Sequence, residues 1–283
     1  MSTLDYQIVD VFTDRAFAGN PLAVVFGAQS LSTEQLQTIA REFNLSETVF
    51  ILPPTDPEAA TYRARIFTPR LELPFAGHPS VGAAVVQAGG AGRVIQECGA
   101  GLLPIEVTAD GRATLTGGTP SVGPEIDPAP LLAAAGLTSA DFAGPAPRRA
   151  GCGIDFPYLS VHPDAVARAM LDHGAAARDG VDEVLIVAWD AATSTAHVRM
   201  FGPGVGVPED PATGSAALGL GVWLVASGLV PGEGEWRYRV RQGAEMGRPS
   251  TLDCTVTAAG GVAVAATVTG QVVPVAEGRI SVP

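Results

Sequence analysis

The side chains able to do chemistry in this sequence are few, and they sit in turns beside apolar segments. Glu47 lies in Asn44-Leu45-Ser46-Glu47-Thr48-Val49-Phe50, where a helical pattern gives way to a strand. A carboxylate just ahead of an apolar strand is easily half-buried, and burial raises its pKa towards the range of a general base. The competing reading is an exposed turn glutamate. His78 opens a helix, where the dipole favours the neutral ring. Such a ring can pass a proton without carrying charge, or it can simply cap. Asp210 precedes a second helix, where its plain role is N-terminal capping. Ser215, just inside that helix, either caps or binds an anion.

The elements that carry these residues repeat. Phe67–Ala91 and Phe201–Gly228 share their punctuation: Phe67 with Phe201, Pro69 with Pro203, and Pro74 with Pro208. Glu209, Asp210 and Pro211 are then extra in the second copy, after which Ala76 matches Thr213, Gly77 matches Gly214, His78 matches Ser215 and Gly82 matches Gly219. Matched punctuation of this kind points to a duplicated unit. Each copy reads as a short strand ending at proline, a glycine-containing turn, and a helix of Ala, Gly, Val and Leu. A helix apolar nearly all round belongs in a core. Its first turn offers unpaired N–H groups and the positive dipole end, which suit an anion. Gly77 and Gly214 allow a ligand close to the backbone. Two such starts are expected to face one cleft and hold a small anion. The alternative is two ordinary core helices.

The rest of the chain supplies walls. Strands are expected at Tyr6–Phe12, Leu22–Phe26, Thr48–Leu52 and Tyr62–Phe67. A helix is expected at Ser32–Phe43, with Ser32 and Gln35 as a capping box and Leu36, Ile39, Ala40 and Phe43 facing inwards. The repeat helices span about Pro79–Ala88 and Gly214–Ala226. Gly117–Pro130 reads as a linker. Helices are expected at Pro128–Ala135 and Asp164–His173. Strands follow around Phe156–Val161, Glu183–Trp189, Ala196–Phe201, Trp236–Arg241, Thr251–Thr257 and Val262–Thr269. Gly270–Pro283 is expected to return as a closing strand of the first half. Many strands with few helices, arranged twice, give an α+β class.

Composition excludes several functions. The chain has 283 residues, 47% hydrophobic, with a net charge of −12 and no Lys/Arg cluster, so nucleic acid is not an expected partner. The longest apolar run, Ala216–Val230, is too short and Gly-rich for a membrane span. The start has no signal-peptide pattern. Three widely spaced cysteines suit a reducing cytoplasm rather than a disulfide framework. The four histidines lack metal-ligand spacing, and no phosphate-binding or dinucleotide motif falls in register.

Taken together, the motifs resemble one family. Asp10-Val11-Phe12, Phe17-Ala18-Gly19-Asn20-Pro21, Asn44-Leu45-Ser46-Glu47-Thr48, Phe67-Thr68-Pro69, Gly77-His78-Pro79, Glu209 to Ala216, Gln242-Gly243 and Gly247-Arg248-Pro249 are similar to those of the PhzF-like (phenazine biosynthesis) family. That family has the diaminopimelate epimerase fold. The resemblance implies two similar α+β domains, residues 1–118 with 270–283 and residues 119–269, each with a curved, mostly antiparallel sheet around a central helix. It also implies an active site between them, a homodimer, and no cofactor or metal. In the family's isomerase a glutamate moves a proton on trans-2,3-dihydro-3-hydroxyanthranilate. By motif match that glutamate is Glu47, supported by His78, Asp210 and Ser215. Gly77 and Gly214 would present backbone N–H groups, with Asn20 among the substrate-binding residues. Related racemases use two cysteines at the helix starts. Those positions here are Ala76 and Thr213, so two-thiol chemistry is not expected. The expected activity is a carboxylate-driven isomerisation of a small anionic substrate. The alternatives are a non-catalytic anion binder or another proton-dependent reaction, such as elimination.

Overall fold

The computed structural model describes residues 2–283. The chain divides into two units, Met1–Thr116 with Thr269–Pro283, and Gly117–Val268. Each is an α+β unit in which a curved sheet wraps one apolar helix.

The first unit contains β1 (Thr3–Val11), β2 (Asn20–Phe26), α1 (Thr33–Phe43), β3 (Glu47–Leu52), β4 (Tyr62–Phe67), β5 (Glu72–Leu73), α2 (Gly77–Ala88), β6 (Gly92–Cys98), β7 (Gly101–Val107) and β8 (Arg112–Thr116). Pairing runs β1–β2–β3–β4–β6–β7–β8. The last strand of the chain, Val262–Ser281, pairs with both β8 and β1 and closes the barrel. Its register with β1 runs from Thr3 opposite Ser281 to Val11 opposite Val272, which is the return expected for Gly270–Pro283.

Helix α2 fills this barrel because its wall-facing positions are small. A Cβ on Gly82 would lie 2.5 Å from Leu22 Cδ2 and 2.9 Å from Val11 Cγ2. Helix α1 packs outside. Its expected capping box is present, Ser32 Oγ accepting from Gln35 N–H at 3.3 Å and Gln35 Oε1 accepting from Ser32 N–H at 3.1 Å. Leu36, Ile39 and Ala40 join Leu4, Val25, Phe50 and Phe67 in one cluster.

The second unit contains β9 (Pro120–Glu125), α3 (Pro128–Ala134), β10 (Arg148–Cys152), β11 (Asp155–Ser160), α4 (Pro163–Arg168), α5 (His173–Asp179), β12 (Val184–Asp190), β13 (Thr195–Gly202), β14 (Val207–Asp210), α6 (Gly214–Ala226), β15 (Gly234–Gln242) and β16 (Ser250–Ala259); the long last strand is β17. Pairing runs β9–β10–β11–β12–β13–β15–β16, with β14 also on β13. Helix α6 lies buried along the sheet. A Cβ on Gly219 would meet Ala150 O at 2.8 Å, and Trp223 stacks on Tyr158 with centroids 5.8 Å apart. Tyr158 and Tyr238 donate from their hydroxyls to Ala216 O and Ala217 O at 2.6 and 2.7 Å, so both buried phenols are satisfied.

Two expectations are corrected here. The stretch Gly117–Pro130 is not a plain linker, because Pro120–Glu125 forms β9 against β10. The single helix expected over Asp164–His173 is two, α4 and α5. Between them Met170 N–H donates to Ala135 O and Asp172 N–H to Ala134 O, at 3.0 and 2.9 Å, which takes those donors out of the helical ladder. Arg199 Nη1 donates to the Val166 and Ala169 carbonyls and so occupies the end of α4. Among the described residues no helix is long and apolar enough to cross a membrane.

Candidate active site

In the first unit three strand ends meet the start of α2. Strands β2 and β3 are parallel, with Leu22 opposite Glu47, and β1 is antiparallel to β2, with Val11 opposite Asn20. Asn20 and Glu47 therefore begin adjacent strands at the end of the barrel where β1 finishes. The approach to Asn20 is tight. Gly19 has φ +67°, and a Cβ there would lie 2.4 Å from Val11 O, so only glycine fits. Upstream, the buried Asp10 carboxylate accepts the Phe17 N–H at 2.6 Å.

His78 is the second residue of α2 and is buried. Asn20 presents Nδ2 to His78 Nδ1 at 3.3 Å, while its Oδ1 accepts from Ser46 Oγ at 2.9 Å. Where Nδ2 donates to Nδ1, the neutral ring carries its proton on Nε2. Nε2 is buried without a hydrogen-bond partner among the described residues. A buried donor left open in this way marks a place for a ligand acceptor. Glu47 Oε2 lies 3.5 Å from His78 Nδ1, and the Glu47 side chain is 15% exposed. The glutamate is thus half-buried beside the imidazole, not an exposed turn residue.

Burial pushes the His78 pKa down to about 3, so the neutral ring expected from the helix dipole is present, with desolvation as its cause. That lies below the ordinary histidine value of 6.5. His78 therefore costs no stability above that value, and stability is lost as pH falls from there towards 3. His78→Gln is expected to flatten this part of the acid limb, read as Tm against pH. An unchanged slope would contradict a buried, neutral His78.

In the second unit Asp210, Thr213 and Ser215 are buried at the start of α6. Asp210 is not the N-cap that its position suggested. Thr213 holds that position, and its hydroxyl turns away from the helix to donate to Asp210 Oδ2 at 2.6 Å. Ser215 is likewise no cap; it is the second helical residue. The N-cap residues of α2 and α6 make no side-chain capping bond. This leaves the turns led by Gly77 and Gly214 suited to an anion.

Ala76 and Thr213 are the N-cap residues of α2 and α6, where a two-thiol enzyme would carry its cysteines. Cys98, Cys152 and Cys254 lie elsewhere and are free. Burial pushes the Cys152 thiol up to about 12 and raises that of Cys254 as well. Among the described residues no group of three His, Cys, Asp or Glu side chains is placed to hold a metal ion.

The first unit thus brings Asn20, Glu47 and His78 together with Gly77, and the second brings Asp210 beside Gly214 and Ser215. Sequence reasoning gave no role to Ser46, which orients Asn20, or to Gln242, whose amide bonds Thr213 and Asp210. Both stand inside recognised motifs, and that was their only signal. Thr213 stands in the sequence as the partner of Ala76 in the repeat, with no side-chain role beyond the absence of a thiol.

Comparison with known proteins shows the family. The family model described as phenazine biosynthesis-like protein matches residues 9–278. An uncharacterized isomerase of Mesorhizobium japonicum is 37% identical, with 99% of both chains covered. Trans-2,3-dihydro-3-hydroxyanthranilate isomerase of Pseudomonas aeruginosa is 35% identical over 97% of this chain and 98% of its own. The crystal structure of the Bacillus anthracis phenazine biosynthesis protein of the PhzF family superposes with a TM-score of 0.86, covering 99% of this chain and 100% of that one; at 23% identity it shows the fold. This chain therefore belongs to the PhzC-PhzF family of phenazine biosynthesis-like proteins, as an enzyme of the isomerase class.

Proposed function

We propose that the enzyme moves a proton within a small, unsaturated, carboxylate-bearing acid of the trans-2,3-dihydro-3-hydroxyanthranilate type, without cofactor or metal. Glu47 acts first as base and then as acid. The C–H electron pair enters the conjugated system of the substrate as Glu47 takes the proton. The same proton, or one exchanged with solvent, returns to a different carbon, so the formula is unchanged. His78 stays neutral and presents Nε2–H to the charge that develops on the substrate. Asn20 holds the imidazole, and the first turn of α2 at Gly77 binds anionic oxygen. Asp210, Ser215 and the Gly214 backbone are assigned to substrate binding.

One observation carries this reading: a half-buried carboxylate 3.5 Å from a fully buried histidine, at a helix start where a relative of like sequence is named an isomerase. The test is incubation in deuterated water with trans-2,3-dihydro-3-hydroxyanthranilate, followed by proton NMR. Conversion to an isomer with deuterium at the receiving carbon is the expected result. A product of changed formula would replace isomerisation with elimination. Binding without exchange would make the protein a binder.

A further inference from the structure

Gln242 is the last residue of β15 and is 2% exposed. Three hydrogen bonds tie its amide to one turn. Nε2 donates to Asp210 O at 2.7 Å and to Thr213 Oγ1 at 3.0 Å, and Oε1 accepts from Thr213 N–H at 3.3 Å. The amide thus grips both ends of the segment Asp210–Thr213, which leads into α6.

The bonds also have a direction. Gln242 donates to the Thr213 oxygen, so the one hydroxyl hydrogen of Thr213 is left to point at Asp210 Oδ2, 2.6 Å away. The order is amide to hydroxyl to carboxylate, and it orients the Asp210 carboxylate from behind. The backbone beyond Gln242 reinforces the grip. Gly243 has φ +77°, and a Cβ there would lie 2.6 Å from Pro211 O, so this turn packs directly on the same segment. The sheet supplies the platform: β13 pairs with β15 at Val198 opposite Gln242 and with β14 at Met200 opposite Asp210.

We infer that Gln242 is a positioning residue of this enzyme: through Thr213 it sets where the Asp210 carboxylate points and how the first turn of α6 is presented. It touches no reacting atom. The inference rests on the reading that Asp210 serves the reaction. A brace that only satisfies buried backbone groups would have the same contacts, so the test must separate positioning from stability.

The variants are Gln242→Glu, which keeps the shape and the acceptor for Thr213 N–H but removes both donors, and Gln242→Met, which removes all three bonds. Thr255→Val is the stability control, because it breaks the Thr255–Thr267 hydroxyl pair of 2.7 Å on the outer strands of the same unit. Asp210→Asn runs alongside. Turnover of trans-2,3-dihydro-3-hydroxyanthranilate and amide hydrogen exchange are both measured. With positioning, kcat falls about tenfold to a hundredfold in both Gln242 variants while KM moves little. Thr255→Val then loses Tm without losing kcat. Gln242 variants that lose Tm but keep kcat, while Asp210→Asn is impaired, overturn the inference and leave the reading of Asp210 intact. Full activity in Asp210→Asn removes that reading instead. Unchanged or uniformly faster exchange in Gln242→Glu, with residues 210–215 no faster than the rest, also overturns the inference, and failure of the wild type to turn this acid over removes the reading of Asp210 on which it rests.

Discussion

Glu47→Gln is expected to lower turnover by about a hundredfold to ten-thousandfold, the usual worth of a positioned acid–base group. The amide is nearly isosteric with the carboxyl and keeps its place beside His78 Nδ1, 3.5 Å away in the wild type. It cannot take a proton from carbon. Because the Asn20–His78 contact and the helix starts are untouched, KM should change by about threefold or less, the pattern of an interaction made only on the way to the transition state. Deuterium incorporation into substrate should disappear together with turnover. Glu47→Asp separates chemistry from reach: the acid remains but is one carbon shorter, so intermediate activity is expected. A Glu47→Gln enzyme that turns over normally would end the proposal that Glu47 is the base.

Arg199→Met is expected to cost about 3 kcal/mol of stability, the lower part of the range for breaking a buried ion pair. Arg199 is buried, at 7% exposure. Its Nε and Nη2 reach Glu209 Oε1 and Oε2 at 2.8 and 2.9 Å, a two-pronged contact, and Nη1 bonds Val166 O and Ala169 O at 3.1 and 2.6 Å. Its guanidinium also lies over the Phe201 ring at 5.0 Å. Methionine retains part of the packing but leaves the Glu209 carboxylate, 19% exposed, without its guanidinium and takes a donor from the Val166 and Ala169 carbonyls. Glu209→Gln added to Arg199→Met should recover part of the loss, because it removes the stranded charge but not the open carbonyls. Equal Tm in wild type and Arg199→Met would show that the pair contributes nothing net.

The two repeat helices were legible in the sequence because their composition leaves no polar face. Gly77–Ala88 and Gly214–Ala226 are runs of small and apolar residues, and such a helix has nowhere stable to lie except inside a sheet. Helix α1 was legible for the opposite reason, a one-sided apolar stripe with a capping box at its start. The break between α4 and α5 was not legible. It is made by carbonyls of α3 and by Arg199, which are distant in sequence. β9 was hidden because Gly and Pro in Gly117–Pro130 mask a strand whose pairing comes from β10.

The candidate site divides along the same line. Residue types and motif spacing carried the resemblance to the family, through it the expectation that Glu47, His78 and Asp210 serve the site, and the absence of cysteine from both helix starts. Those are local properties, carried by each residue and its immediate neighbours. Only the tertiary structure decided that burial holds His78 neutral, that Ser46 and His78 meet the two ends of the Asn20 amide, and that Asp210 takes the Thr213 hydroxyl under the hold of Gln242. Burial and hydrogen-bond direction depend on atoms brought together from separate strands, and spacing along the chain carries no record of them.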